Sequence, residues 1–222
     1  MKYEIKEEHF PIVICHLNKG ESVVCDNNAI SWMDPVMETK TSSSYILKIF
    51  GKIFSSKAVF QNHYIAKDNG AIAFASSFPS NIKTIEITPD KNIIVQKSLF
   101  LAGSGDINAS IFFNKKFSSN LINDEDFIMT KISGNGIVFL EIDGSAIEYD
   151  LLPGQQIIID TKYLVMIDAS CTIETQNIIK NIFLKDDDFF YTTITGPGKI
   201  ILQTMPISNV TSHLIPFLPR NN

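Results

Sequence analysis

The side chains best suited to nucleophilic or metal chemistry in this 222-residue chain are three cysteines, Cys15, Cys25 and Cys171, and four histidines, His9, His16, His63 and His213. A zinc site needs three or four such ligands at short, paired spacings, and no H-x-x-x-H or Cys-x-x-Cys occurs here. Cys15 and Cys25 are equidistant from Gly20, so a hairpin turning there would set them face to face, with one histidine as a third ligand. The competing reading is two small apolar side chains, reduced and packed as cross-strand neighbours. Cys15 and His16 are adjacent in sequence and would project to opposite faces of a strand, which separates nucleophile from base. Gly103-Ser104-Gly105 lacks the spacing of a nucleophile elbow.

Two acidic clusters, Asp124-Glu125-Asp126 and Asp186-Asp187-Asp188, each precede a phenylalanine and lie 62 residues apart. Their oxygens suit Ca²⁺ or Mg²⁺, but the interior glycine and terminal glutamate of a calcium loop are missing. Solvated loops that discourage edge pairing explain them better. Gly134-Asn135-Gly136 and Gly196-Pro197-Gly198 could present backbone N–H groups to an anion. A phosphate loop also needs a following helix and a Lys-Ser/Thr pair, so these read as tight hairpin turns. No catalytic, cofactor-binding or metal site is assigned from these residues.

The elements that must carry any such site are strands. The chain holds 35 Ile and 16 Phe against one Trp, and is 45% hydrophobic and 19% charged. That composition is too apolar for a disordered protein and is biased towards β structure. Net charge is −5, and Arg220 is the single arginine, which argues against a nucleic-acid surface. The N-terminal MKYEIKEEHF has no continuous apolar run of the kind a secretory signal needs, and no stretch reaches about 18 apolar residues. An odd number of cysteines points to a reducing compartment, and the expectation is a cytoplasmic protein with no transmembrane segment.

The chain matches itself twice. Gly20-Glu21-Ser22-Val23-Val24-Cys25-Asp26 corresponds to Asp90-Lys91-Asn92-Ile93-Ile94-Val95-Gln96 and to Gly154-Gln155-Gln156-Ile157-Ile158-Ile159-Asp160, at offsets of 70 and 64. Phe127 to Gly136 resembles Phe189 to Gly198, with Val59 to Gly70 as a weaker copy. The register sets Trp32, Ala102 and Met166 at one shared position, which makes Trp32 a core or interface residue rather than a stacking platform. The expected organisation is one domain, 1–222, of three repeats at about 10–70, 71–136 and 137–205, with a proline-bounded tail 206–222 suited to a subunit contact. Short apolar runs separated by Gly, Pro, Asn and Asp suggest hairpins of a sandwich or barrel. Residues 42–56 and 175–184 are helix candidates or strand pairs. The runs 93–95 and 157–159 show no in/out alternation, which predicts strands covered on both faces by repeat packing or by another subunit.

Glu21-Ser22-Val23-Val24, Met33-Asp34-Pro35 and Met37-Glu38-Thr39-Lys40 resemble the start of the altered-inheritance-of-mitochondria family, also called mitochondrial biogenesis proteins. Ile132 to Leu140, Leu152-Pro153-Gly154-Gln155, Ile159 to Val165 and Thr195 to Thr204 resemble it in the same order. The resemblance covers about residues 3–205 and implies a fold similar to the tryptophan RNA-binding attenuation protein: an all-β, three-repeat short double-stranded β-helix or β-sandwich. It implies a cytoplasmic protein for a bacterial member, and a link to inner-membrane organisation and respiration for the mitochondrial relatives. It supplies no catalytic residues. Thr41-Ser42-Ser43-Ser44-Tyr45-Ile46-Leu47 stands where family members usually carry a glycine-rich stretch. The resulting expectation is a self-associating, non-enzymatic scaffold or binding protein without a cofactor. The alternatives are a small-molecule or RNA-binding module, by fold analogy, and a metal- or thiol-dependent enzyme using Cys15, Cys25, His16 or His63.

Overall fold

Among the described residues, most clusters of Ile, Val and Phe between turn residues are extended, as β-branched and aromatic side chains favour. The computed structural model describes residues 1–7, 10–26, 29–39, 62–76, 78–112, 128–177 and 190–217. Its first segment contains β1 (Lys2–Lys6), β2 (Ile12–Leu17), β3 (Ser22–Cys25), β4 (Ile30–Met33), β5 (Met37–Thr39), β6 (Asn62–Ala66) and β7 (Gly70–Ala75). The middle segment contains β8 (Ser80–Ile87), β9 (Ile93–Gln96), β10 (Phe100–Ile111) and β11 (Met129–Asp143). The last segment contains β12 (Ala146–Leu151), β13 (Gln156–Asp160), β14 (Leu164–Asp168), β15 (Thr172–Asn177), β16 (Phe190–Thr195), β17 (Gly198–Gln203) and α1 (Ile207–Leu214).

One pairing pattern occurs in all three segments. In the first, β7 lies between β2 and β4 while β6 lies between β3 and β5. In the last, β17 lies between β12 and β14 while β16 lies between β13 and β15. In the middle segment a single long strand replaces each pair: the second half of β11 lies between β8 and the start of β10, and its first half between β9 and the end of β10. Each segment therefore presents two small antiparallel sheets, and their inward side chains share a core. Val13, Cys15 and Phe74 from one sheet pack with Val23, Cys25 and Tyr64 from the other. Ile87 and Leu140 pack with Ile93, Val95 and Ile132 in the middle segment. Leu164 and Ile200 pack with Ile159, Ile173 and Ile194 in the last. The architecture is an all-β sandwich of antiparallel sheets, none of them closed.

The glycine motifs differ from expectation. Gly134-Asn135-Gly136 is not a hairpin turn: it lies inside β11, where the strand's partner changes from β9 to β8. A Cβ on Gly134 would collide with the Asp106 carbonyl, and one on Gly136 with that of Ser104. Glycine is required because the paired backbone of β10 lies too close for a Cβ. Gly196-Pro197 likewise links β16 and β17, which belong to different sheets rather than to one hairpin. Residues 42–56 lie outside the described residues, and of the other helix candidate 175–177 form the end of β15. The helix that is present, α1, follows Pro206 and is tied down by Asp143, whose carboxylate accepts the Ile207 N–H at 2.9 Å.

Candidate functional site

The three segments are joined by one kind of contact, used twice. The start of β10 pairs antiparallel with β3, setting Ala102 opposite Cys25, Gly103 opposite Val24 and Ser104 opposite Val23. In the same way β14 pairs with β9, setting Met166 opposite Val95, Ile167 opposite Ile94 and Asp168 opposite Ile93. These joints bury their strands. Phe100 to Ser104 and Leu164 to Ile167 are all buried, as are Ile93, Ile94 and Val95.

Two strands that match these in sequence and in pairing have no such neighbour among the described residues. β4 occupies the place of β10 and β14: its contact with β7 carries the same register irregularity, after Ile30 as after Phe100 and Leu164. Trp32, Met33 and Asp34 stand where Ala102, Gly103 and Ser104, and Met166, Ile167 and Asp168, stand in the joints. Asp34 and Asp168 share a further role, accepting at 2.8 Å the backbone N–H of Ala71 and of Lys199 respectively. β13 occupies the place of β3 and β9, with Ile157, Ile158 and Ile159 at the positions of Val23, Val24 and Cys25. β4 ends one sheet and β13 ends another, and they do not pair with each other.

The consequence is a pair of apolar sheet edges. Trp32 and Met33 are each 43% exposed, whereas Ala102 and Ile167 at the same positions are fully buried. Ile158 is 65% exposed, against 3% for its counterpart Ile94. Of the two covers expected for 157–159, packing within the chain does not reach Ile158, which points outward from an end strand; Ile159 is buried and Ile157 half-buried. The internal register placed Trp32 at a core or interface position, and its exposure removes the core alternative.

The other candidates are scattered. Cys15 is buried and His16 exposed, on opposite faces of β2. His16 faces Glu4 at 3.4 Å, an ordinary surface contact. Cys15 and Cys25 enter one core cluster from different sheets rather than across a hairpin, because β2 and β3 pair with β7 and β6 instead of with each other. Burial pushes both thiols up to about 12 and that of Cys171 to about 11, far from the thiolate a nucleophile or metal ligand requires. Among the described residues no three His, Cys, Asp or Glu side chains converge on a point suited to a metal. His63 lies on β6 and His213 on α1; His9 and the acidic clusters 124–126 and 186–188 fall outside the described residues. Tail residues Leu214 and Ile215 are 54% and 63% exposed. Among the described residues no helix is long and apolar enough to cross a membrane.

A β-sandwich with a repeated strand joint and two unfilled counterparts of it is the class of protein that this geometry defines. The family model of mitochondrial biogenesis AIM24 matches residues 3–205, and the chain belongs to that family. The crystal structure of a Streptococcus pyogenes protein, solved as a structural-genomics target, superposes with a TM-score of 0.79 over 98% of this chain and 99% of that one. At 18% identity that likeness is one of fold. No curated protein matches.

Proposed function

We propose that the protein is a non-enzymatic scaffold or binding protein that works as a self-associated β assembly, in a role related to mitochondrial biogenesis as its family membership suggests. We take the chain as one domain of three repeats, each a two-sheet unit like the short double-stranded β-helix of the tryptophan RNA-binding attenuation protein. The observation that carries the reading is the pair of end strands, which expose Trp32, Met33 and Ile158 at positions buried elsewhere in the same chain. Apolar sheet edges in water favour pairing with another chain.

Native mass spectrometry of the freshly purified protein, set beside its denatured mass, tests this. The expected result is a whole-number multiple of the chain mass with nothing added. A single-chain mass at micromolar concentration overturns self-association. A reproducible excess mass overturns the scaffold reading in favour of a ligand or metal.

A further inference from the structure

We infer that the partner at both open edges is a second copy of this chain, joined head to tail: β13 of one copy pairs antiparallel with β4 of the next, with Ile159 opposite Trp32, Ile158 opposite Met33 and Ile157 opposite Asp34. The inference rests on the self-association proposed above and specifies its geometry.

The register is read from the two joints already inside the chain. In both, the third residue of the motif 23–25 or 93–95 faces Ala102 or Met166, and the second faces Gly103 or Ile167. Carrying the same rule to the ends pairs Ile159 with Trp32 and Ile158 with Met33. The side chains agree with this assignment. The β9–β14 joint buries Ile94 and Ile167 and the β3–β10 joint buries Ala102 and leaves Val24 half-buried, and the exposed residues at the ends are the counterparts of these. Among the described residues, the two edges carry little that opposes it. β13 is Gln-Ile-Ile-Ile-Asp, with no lysine or proline to discourage a neighbour, and β4 is Ile-Ser-Trp-Met. Pro35 follows β4 where Ala169 donates its N–H to the Asn92 carbonyl at 2.9 Å, so the new joint ends one hydrogen bond sooner than that one.

Two copies pairing β13 with β13 would be an isologous dimer, and the internal joints contain no such like-with-like contact. A head-to-tail contact uses two different edges, so each copy keeps one of each kind free to bind further copies. Such contacts close into a ring or extend into a filament according to the rotation per copy.

Two substitutions on exposed side chains separate the possibilities without touching the core: Met33→Lys on β4 and Ile158→Asp on β13. Far-UV circular dichroism spectra of both should match that of the parent protein, while their melts fall below the parent's by the stability that association adds. Native mass spectrometry of the parent reads self-association itself, and a single-chain mass there defeats the proposal above and this one with it. With an oligomeric parent, each variant alone is expected at single-chain mass. Their equimolar mixture is expected to give a one-to-one dimer and stop, because only the intact β13 of one and the intact β4 of the other remain. Trp32, the sole tryptophan, should shift its emission to the blue in the dimer relative to either variant alone. A variant that keeps the parental mass, a variant that dimerises with itself, or a mixture that stays at single-chain mass overturns the β13–β4 pairing while leaving self-association by another surface intact.

Discussion

The close approach of the paired strands β10 and β11 predicts an asymmetry between two glycines that the sequence does not distinguish. A Cβ on Gly136 would overlap the Ser104 backbone carbonyl and approach Ile107 Cγ2 at 2.9 Å. The carbonyl belongs to a ladder in which Ser104 faces Ile137, so it cannot move aside without loosening neighbouring hydrogen bonds. Overpacking costs about 1–3 kcal/mol, and each disturbed bond adds about 1 kcal/mol. Gly136→Ala should therefore lose roughly 3–4 kcal/mol. Gly20 turns at φ +89° with open space around its would-be Cβ, so its cost is conformational alone, about 1–2 kcal/mol. Some of that is offset by the stiffer unfolded chain, by about 0.4–1 kcal/mol. At this chain length 1 kcal/mol corresponds to about 2–4 °C in Tm, so Gly136→Ala should melt about 10 °C lower and Gly20→Ala only a few degrees lower. Urea and thermal unfolding at one protein concentration read the difference. Equal losses, or a loss under about 1 kcal/mol for Gly136→Ala, would refute the close-approach account.

Four further outcomes follow. Ile94→Ala should destabilise by about 2–4 kcal/mol, whereas Ile158→Ala in the dissociated Met33→Lys background should cost under about 1 kcal/mol; similar urea midpoints would mean that the two are not buried and exposed counterparts. Alkylation at about pH 8 should leave Cys15, Cys25 and Cys171 unlabelled until the chain is unfolded, since a thiol near 12 is only about one ten-thousandth thiolate there; rapid labelling of the folded protein contradicts their inward placement. Burial raises the Asp143 carboxyl above 3.8, with the Ile207 N–H pulling it some way back, so the folded state holds that proton more tightly than the unfolded chain does. Stability contributed at this site thus falls as pH rises through and above 3.8, and Asp143→Asn should gain on the parent between about pH 3 and pH 7; a pH-independent difference in unfolding free energy would count against it. Glu148, which pairs with Lys83 and, at 2.7 Å, with Lys199, should lose under about 1 kcal/mol as Glu148→Gln, and half-molar salt should erase the loss; a loss that survives salt would mean that the pairing is not a screened surface contact.

Strand content was legible because it is written in local composition. The runs 23–25, 93–95 and 157–159 carry the same apolar character at fixed offsets, and the structure gives them corresponding partners in β6, β11 and β16. The connections between strands were not legible. A glycine that turns a chain back on itself and one that lets a paired strand approach closely leave the same mark in a sequence, and Gly134-Asn135-Gly136 proved to be the second kind. The short helix α1 was missed because Ile207-Ser208-Asn209-Val210-Thr211-Ser212-His213-Leu214 is made of poor helix formers. Its start is fixed from outside, by the Asp143 carboxylate and by Asn209 donating to the Tyr163 hydroxyl at 2.9 Å.

The open edges show why an apolar run cannot by itself reveal burial. Ile94 and Ile158 have the same identity and the same neighbours in sequence, an isoleucine before and a β-branched residue after. What separates them is whether another segment of the chain covers the strand. The last segment covers β9 through β14, and among the described residues no further segment covers β13. The same logic applies at β4, which no earlier segment covers among those residues. A repeated joint that is satisfied internally leaves one donor edge and one acceptor edge at the two ends, and the isoleucine and tryptophan there keep the character that the joint requires. That retention is what the proposed head-to-tail pairing requires, since an end strand adapted to water would carry lysine, proline or a charge at Ile158.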